Sequence, residues 1–343
     1  AVTGSVGKTS TKDIIANVLG QKYKVLKTEG NMNNHIGLPM TLLKLKDHTA
    51  VVVEMGMNHF GEISLLTNIA KPTGCVITNI GTSHIGNLGS RENILKAKLE
   101  ILEGLDKNGF VLINNDNDLL HEWAKKEKRY KIYTYGLENN STYMAKKITI
   151  LENSSEFEIN GIKGNVPIGG IHFVYNSVCA FAIGDILNVE KEKIIKGISE
   201  FKLTAKRMDI EIIKNKIKVI NDSYNASYDS MKAALEVVNN TSAQRKIAIL
   251  GDMLELGEYA KELHEKVGEE VVKNKIDILI TIGDNAKNIA NKAKELKMEN
   301  VYMFDGIEEA IEYIKKTIKC GDLILLKASN SMNFSKILNE IKA

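Results

Sequence analysis

Two α/β domains, each built on a mostly parallel sheet, are what this 343-residue sequence predicts. Three observations lead there. A small-residue loop, Thr3-Gly4-Ser5-Val6-Gly7-Lys8-Thr9, stands between a short apolar start and a helical pattern. Apolar, β-branched runs then alternate with helix-length segments along the chain. Near residues 203–205 the alternation restarts, which divides the chain into a phosphate-loop domain over residues 1–204 and a Rossmann-like domain over 205–343.

The loop comes first because the other segments are read around it. Glycines let backbone N–H groups converge on an anion, and the helix that follows, carrying Ile14, Ile15, Ala16 and Val18, adds the positive end of its dipole. In such a loop Lys8 reaches the β- and γ-phosphates of a nucleotide, and the Thr9 hydroxyl reaches Mg²⁺. Thr3, Gly4, Ser5 and Gly7 complete the cradle. The usual pattern has a glycine where this chain has Val2. A glycine-rich strand–helix turn followed by an adventitious Lys-Thr is the other reading of this stretch taken alone.

Residues 24–26 read as a short strand and residues 28–39, dense in Asn and Gly, as an irregular loop. Residues 49–56 read as a buried parallel strand with Glu54 near its C-terminal end, where open α/β sheets place their ligands. A lone Glu there serves either as a cap or surface residue, or as a Mg²⁺ ligand beside the phosphate loop. A helix over 63–70 stops at Pro72, a strand covers 74–81, and His84 lies just past it on the same rim. The next helix runs from Ser90 or Arg91 to Leu105. By pattern alone its Lys98 is an ordinary exposed lysine.

Another strand covers 110–114, and residues 132–168 alternate in the manner of a small antiparallel sheet. Residues 172–187 form an apolar helix with Asn176 near its start, and 190–200 a solvated helix leading out of the domain. In the second domain, strands over 216–222, 246–251, 276–282, 301–304 and 322–327 alternate with helices, and a helix over 334–341 comes last. No Gly-x-Gly-x-x-Gly occurs there, so no dinucleotide is expected.

Composition narrows the function classes. Lys+Arg 46 against Asp+Glu 43 gives +3, which argues against nucleic acid or an acidic membrane as partner. Cys75, Cys179 and Cys320 are far apart and read as free thiols of a reducing compartment, with neither zinc nor disulfide framework. No apolar run reaches membrane-spanning length and no signal sequence is visible, so a cytoplasmic monomer without membrane insertion is expected. The chain opens inside its first buried strand, so upstream sequence amounting to a domain is expected.

These residues together resemble the Mur ligase family of ATP-dependent amide-forming enzymes. The loop Thr3-Gly4-Ser5-Val6-Gly7-Lys8-Thr9 is similar to that family's shortened variant, which accounts for Val2. Four stretches resemble the branch that adds D-alanyl-D-alanine to UDP-N-acetylmuramoyl-tripeptide. The first two are Gly30-Asn31-Met32-Asn33-Asn34-His35-Ile36-Gly37-Leu38-Pro39 and Glu54-Met55-Gly56-Met57-Asn58-His59-Phe60-Gly61-Glu62-Ile63. The others are Asp222-Ser223-Tyr224-Asn225-Ala226 with Asp229-Ser230-Met231, and Gly251-Asp252-Met253-Leu254-Glu255-Leu256-Gly257. The likeness covers the family's central and C-terminal domains, and not the N-terminal domain that holds the UDP-sugar. Lys327-Ala328-Ser329-Asn330 departs from the family's Lys-Gly-Ser-Arg, which removes the contact that arginine makes and leaves the ATP site untouched.

The resemblance implies ATP and two Mg²⁺ as cofactors. Lys8 and Thr9 would hold the phosphates and the first Mg²⁺, with Glu54 as a further ligand. His84 and Lys98 would serve the second, Lys98 as a carbamate that offers anionic oxygen. Asn176 would contact adenine, Arg207 the γ-phosphate and Asp222 the ribose, while Asn34, Tyr224 and Asn225 would face substrate. Lys8, His84, Lys98 and Arg207 form the implied catalytic set. The implied enzyme is an ADP-forming peptide ligase of cytoplasmic peptidoglycan-precursor synthesis. Other ligases of the family, adding amino acids or folate glutamates, are the nearest alternative. A nucleotide-binding module that has lost turnover through Ala328 and Asn330 is the more distant one.

Overall fold

The computed structural model describes residues 1–202 and 208–342, apart from the side chain of Asn215. Its contacts divide the chain into two compact units, Ala1–Lys202 and Leu203–Ala343.

The first unit begins with β1 (Val2–Thr3), α1 (Lys8–Gly20), β2 (Val25–Lys27), α2 (Gly37–Leu42), β3 (Ala50–Val52) and α3 (Glu62–Ala70). It continues through β4 (Gly74–Ile77), α4 (Ile85–Leu88), α5 (Arg91–Leu99), β5 (Phe110–Asn114) and α6 (Asp118–Lys126). Then come β6 (Lys131–Gly136), β7 (Tyr143–Ile150), β8 (Ser155–Ile159), β9 (Ile162–Val166), α7 (Ile171–Ile186) and α8 (Lys191–Ser199). Seven strands form one sheet in the order β1-β4-β5-β6-β7-β8-β9. Pairing is parallel from β1 to β7 and antiparallel from β7 to β9. The alternating stretch therefore extends the main sheet instead of standing apart from it.

Three expectations change here. The strand expected over 49–56 is laddered only at β3, which pairs with β2 in a separate two-stranded sheet and leaves Val51 37% exposed. The segment after it turns to β1 instead, through Val2 N–H to Val53 O at 2.8 Å, Met55 N–H to Val2 O at 2.9 Å and a Val2–Glu54 bridge. Lys98, expected on an exposed face, is buried. Finally, α8 does not lead out of the domain: it buries Ile194, Gly197 and Ile198. At Gly197 a Cβ would lie 2.7 Å from Val18 Cα, so α8 lies directly against the backbone of α1. Next to it, α7 is buried nearly all round, as an apolar helix without a polar face must be.

The second unit contains β10 (Asp209–Ile213), β11 (Ile217–Asn221), α9 (Tyr228–Asn240), β12 (Arg245–Gly251), α10 (Ala260–Lys273), β13 (Ile278–Ile282) and α11 (Ala286–Glu295). It closes with β14 (Val301–Phe304), α12 (Ile307–Thr317), β15 (Asp322–Lys327) and α13 (Ser335–Lys342). Its six-stranded sheet runs β10-β11-β15-β12-β13-β14, parallel except for β10. The edge strand β10 escaped the sequence reading because Glu211 interrupts its isoleucines. Val219, Ile247, Ile249, Ile280, Ile324 and Leu326 fill one core, as expected of parallel strands covered on both faces. The C-terminal ends of β11, β12, β13 and β15 carry the loops that hold Asp222, Asp252, Gly283 and Ser329. Among the described residues no helix is long and apolar enough to cross a membrane.

Candidate active site

The phosphate-type loop owes its shape to two glycines. Gly4 has φ 149°, and a Cβ there would lie 1.9 Å from Thr78 Oγ1, so no larger residue fits. Gly7, at φ 82°, is the N-cap of α1 and supplies no side-chain acceptor for the first turn. The N–H groups of that turn thus keep their capacity for an anion. Strand β4 and the loop after it brace the cradle. Asn79 accepts from Ser5 N–H through its carbonyl at 3.1 Å and from Val6 N–H through its side chain at 2.9 Å. Thr78 Oγ1 donates to Val6 O at 2.7 Å, and Ser5 Oγ accepts from Gly81 N–H at 2.9 Å. The Lys8 ammonium folds back onto Gly4 O at 2.8 Å and Ser5 O at 3.2 Å.

Around this loop stand the other residues the sequence singled out. Thr9 is buried in the first turn of α1. Glu54, 2% exposed, is held against β1 by its bridge to Val2. Its Oε1 accepts from Asn33 Nδ2 at 2.7 Å, while its buried Oε2 has no hydrogen-bond partner among the described residues. Lys98 is buried near Lys8. Desolvation holds its pKa well below the usual lysine value and the Lys8 charge pushes it the same way; among the described residues no carboxylate offsets them.

His84 is half-buried and left-handed, at φ 63°, and caps α4 just after the segment that braces Ser5. Asn176, from α7, accepts from Thr11 Oγ1 at 3.0 Å, and a Cβ on Gly7 would come within 3.4 Å of its Oδ1. Lys8, Thr9, Glu54, Asn176 and, through the bracing loop, His84 are thus gathered about one cradle, with Lys98 close to Lys8. Among the described residues no group of three or more His, Cys, Asp and Glu could hold a metal by itself.

Asn34 is placed differently. It is exposed, and its Oδ1 accepts from Ile36 N–H at 3.1 Å and Gly37 N–H at 2.9 Å, which starts α2. Its neighbour Asn33 is the one that reaches Glu54. The sequence reading also passed over Lys12, a buried lysine that donates to Thr28 O at 2.7 Å and so fixes the strand end whose Thr28 Oγ1 accepts from Glu54 N–H at 3.0 Å. Asn33 was within reach from its place in the Asn-rich motif. Asn79 and Lys12 carry no local signal.

In the second unit, Asp222 is tied to its own scaffold. Lys327, 1% exposed, donates to the Asp222 carboxylate and to Asn225 O at 3.0 Å, and Met208 N–H donates to Asp222 Oδ1 at 3.2 Å. Tyr224 is half-buried, and the exposed Asn225 accepts from Ala226 N–H at 2.9 Å. Arg207 lies outside the described residues. Ala328, one of the two departures at the end of β15, is fully buried. A Cβ on Gly251 would lie 2.8 Å from its methyl, so the pair of small residues fits one core position. Asn330, the other, is exposed.

The loop after β12 is held from two sides. Ser329 Oγ accepts from Leu254 N–H at 3.0 Å. His264 is buried, with Nδ1 against Ala260 O at 2.6 Å and Nε2 accepting from Met253 N–H at 2.9 Å. An N–H donor on one side and a carbonyl on the other fix the neutral ring with its proton on Nδ1. Burial pushes its pKa below the usual histidine value.

Residues 2–184 match the Mur ligase middle domain, and residues 206–330 match the Mur ligase glutamate ligase domain. The UDP-N-acetylmuramoyl-tripeptide--D-alanyl-D-alanine ligase of Bacillus subtilis is 39% identical over 345 residues, spanning 99% of this chain and 75% of that protein. A crystal structure of MurF from Acinetobacter baumannii superposes with TM-score 0.92 at 29% identity, covering 99% of this chain and 75% of that one. MurF from Thermotoga maritima in complex with ADP gives TM-score 0.87 at 27% identity, covering 99% and 78%.

Proposed function

The chain belongs to the Mur ligase family, and from that premise we propose that it joins D-alanyl-D-alanine to UDP-N-acetylmuramoyl-tripeptide at the cost of ATP. The observation that carries this reading is likeness across both units at once to ligases of that name. A phosphate loop alone would fit many nucleotide-binding proteins.

A carboxylate is a poor acylating agent, since an amine attacking it would have to expel oxide. Phosphorylation solves this. The peptide carboxylate oxygen attacks the γ-phosphorus, the bond to the β–γ bridging oxygen breaks, and ADP departs. The free amine of D-alanyl-D-alanine then attacks the acyl carbon, phosphate leaves with the C–O bonding pair, and the nitrogen gives up a proton. The protein's share is positioning and charge neutralisation. The N–H groups of the Gly4–Gly7 cradle and the Lys8 ammonium would bind the phosphates, Asn176 the adenine, Asp222 the ribose and Arg207 the γ-phosphate. Tyr224 and Asn225 would meet substrate, while Asn34 would act through the start of α2. The T. maritima relative with ADP supports nucleotide use.

Mg²⁺ fits these residues. A buried carboxylate oxygen without a partner, on the strand segment bridged to β1, and a threonine hydroxyl buried in the first turn of α1 are hard oxygen donors of the kind Mg²⁺ takes beside phosphates and water. Thr9 and Glu54 would hold a first ion, His84 and Lys98 a second. Bound there, Mg²⁺ would neutralise charge on the phosphates. Lys98, driven toward its neutral amine, is suited to carbamylation: its nitrogen bonds the carbon of CO₂, loses a proton, and becomes an anion that can face Lys8. On this reading the enzyme is a cytoplasmic monomer.

The test is ADP release by the whole protein. Release is expected only when both the tripeptide precursor and D-alanyl-D-alanine are present. Release with a free amino acid in place of the dipeptide would sink the specificity, and ATP binding without substrate-dependent release would sink the ligase reading.

A further inference from the structure

Glu54 has one bonded oxygen and one bare oxygen, and what makes them unequal is Asn33. The carboxylate could turn either edge toward the cradle, since its backbone alone is fixed, by Thr28 Oγ1 and by the bridge to Val2. Asn33 Nδ2 at 2.7 Å from Oε1 removes that freedom. The amide cannot be reversed, because its oxygen would then face a carboxylate oxygen with no proton between them.

Asn33 is itself held at both ends. Its carbonyl accepts from Gly56 N–H at 2.9 Å and its own N–H donates to Asn31 O at 2.8 Å. A Cβ on Gly56 would stand 3.0 Å from Cγ, Nδ2 and Oδ1 of Asn33, so glycine at that position leaves the amide its room. One residue thus grips both ends of Glu54-Met55-Gly56, from a loop that precedes this segment by about twenty residues in sequence.

We propose that Asn33 is a positioning residue for the metal: it occupies Oε1 so that Oε2 is the oxygen presented to a divalent cation. This rests on the reading of Glu54 as a Mg²⁺ ligand. Partners that orient a ligand typically change metal affinity by about 10- to 100-fold when removed. A bond that merely closes the loop would change stability and leave metal affinity alone.

The experiment titrates Mn²⁺ into the ADP-bound protein and reads free Mn²⁺ by electron paramagnetic resonance. It compares the natural protein with Asn33→Ala, Asn33→Leu, Glu54→Gln and the Asn33→Ala/Glu54→Gln pair. The expected result is Mn²⁺ binding weakened about tenfold or more by either Asn33 change, ADP affinity in EDTA unchanged, and the double variant no weaker than Glu54→Gln alone. Asn33→Leu keeps the branched shape that packs on Gly56 and adds neither donor nor charge, so it decides the matter if Asn33→Ala does not fold. Normal Mn²⁺ binding in the Asn33 variants with weakened binding in Glu54→Gln would overturn the role of Asn33 and leave Glu54 as ligand. Additive losses in the double variant would also overturn it. Normal binding in Glu54→Gln would remove the ligand reading, and this proposal with it.

Discussion

Lys98 and Lys327 are both buried lysines, 2% and 1% exposed, and their surroundings are opposite. Lys327 has the Asp222 carboxylate and the Asn225 carbonyl as acceptors. Lys98 has another cation, Lys8, for a neighbour and no carboxylate to offset it among the described residues. The contrast extends to the two rims. In the first unit Glu54 keeps a bare buried oxygen, and the first turn of α1 has no side-chain cap. In the second, Asp252 Oδ1 accepts from Ala286 N–H at 2.7 Å, Ser329 from Leu254 N–H, and His264 from Met253 N–H. Unpaired buried charge costs stability. On the proposed reading, the first rim is where a ligand would complete the charge balance, whereas Asp252, Ser329 and His264 on the other rim are engaged in holding loops in shape.

Replacing each lysine by methionine, which keeps the length and apolar bulk, is the most direct way to break this comparison. Lys98→Met is expected to lower turnover by about 10²- to 10³-fold, the scale of losing one placed electrostatic group, with bicarbonate giving no rescue. With CO₂ and bicarbonate removed, so that the natural lysine is a free amine, the variant's melting temperature should equal or exceed the natural protein's, because an unbalanced buried amine has gone. The linkage has a definite sign. A lysine whose folded pKa lies below its unfolded value of about 10.4 destabilises the fold at neutral pH, and the penalty fades as pH rises toward that value. Lys98→Met should therefore flatten an alkaline rise in the natural protein's stability. A large fall in melting temperature at pH 7 with normal turnover would contradict the contrast. Lys327→Met should do the reverse and destabilise the second unit by about 3 kcal/mol in urea unfolding, since it strands Asp222 beside a buried apolar chain. Unchanged stability would mean that the Lys327–Asp222 pair is not structural.

The same contrast explains what could be read beforehand. The cradle was legible because an anion-binding turn demands glycines where the backbone closes on its neighbours, as Gly4 does on Thr78. The alternation of strands and helices gave both sheets, since buried parallel strands are apolar on both faces. Lys98 was not legible from pattern: its burial depends on what covers α5, and nothing in its own helix announces that. Its role came from resemblance alone. Asn33 lay inside a conspicuous motif, yet choosing it over Asn34 required knowing which side chain reaches back to Glu54. The packing of α8 on α1 likewise needed a contact with Val18 far away in sequence.

The smallest expected effect concerns the self-bonded rim. His264 accepts from Met253 N–H through Nε2, so protonating the ring would set two N–H groups against each other and release the loop after β12. Burial already lowers its pKa, against the weaker pulls of the Ala260 carbonyl and the Asp252 charge, which raise it. In the unfolded chain the ring takes a proton near pH 6.5, and in the fold only at lower pH. Stability from this group is therefore complete above about pH 6.5 and is lost as pH falls from there through the folded value, with a slope of at most about 1.4 kcal/mol per pH unit. Urea unfolding of the natural protein and of His264→Asn between pH 5 and pH 8 isolates this contribution from the other histidines. Hydrogen exchange at the Met253 amide, corrected for its intrinsic rate, should accelerate at the acid end in the natural protein before global unfolding does. Parallel stability curves for the two proteins would show that the ring's hydrogen bonds do not govern this loop, and the rim would then owe its order to Ser329 and the packing of Ala328 on Gly251.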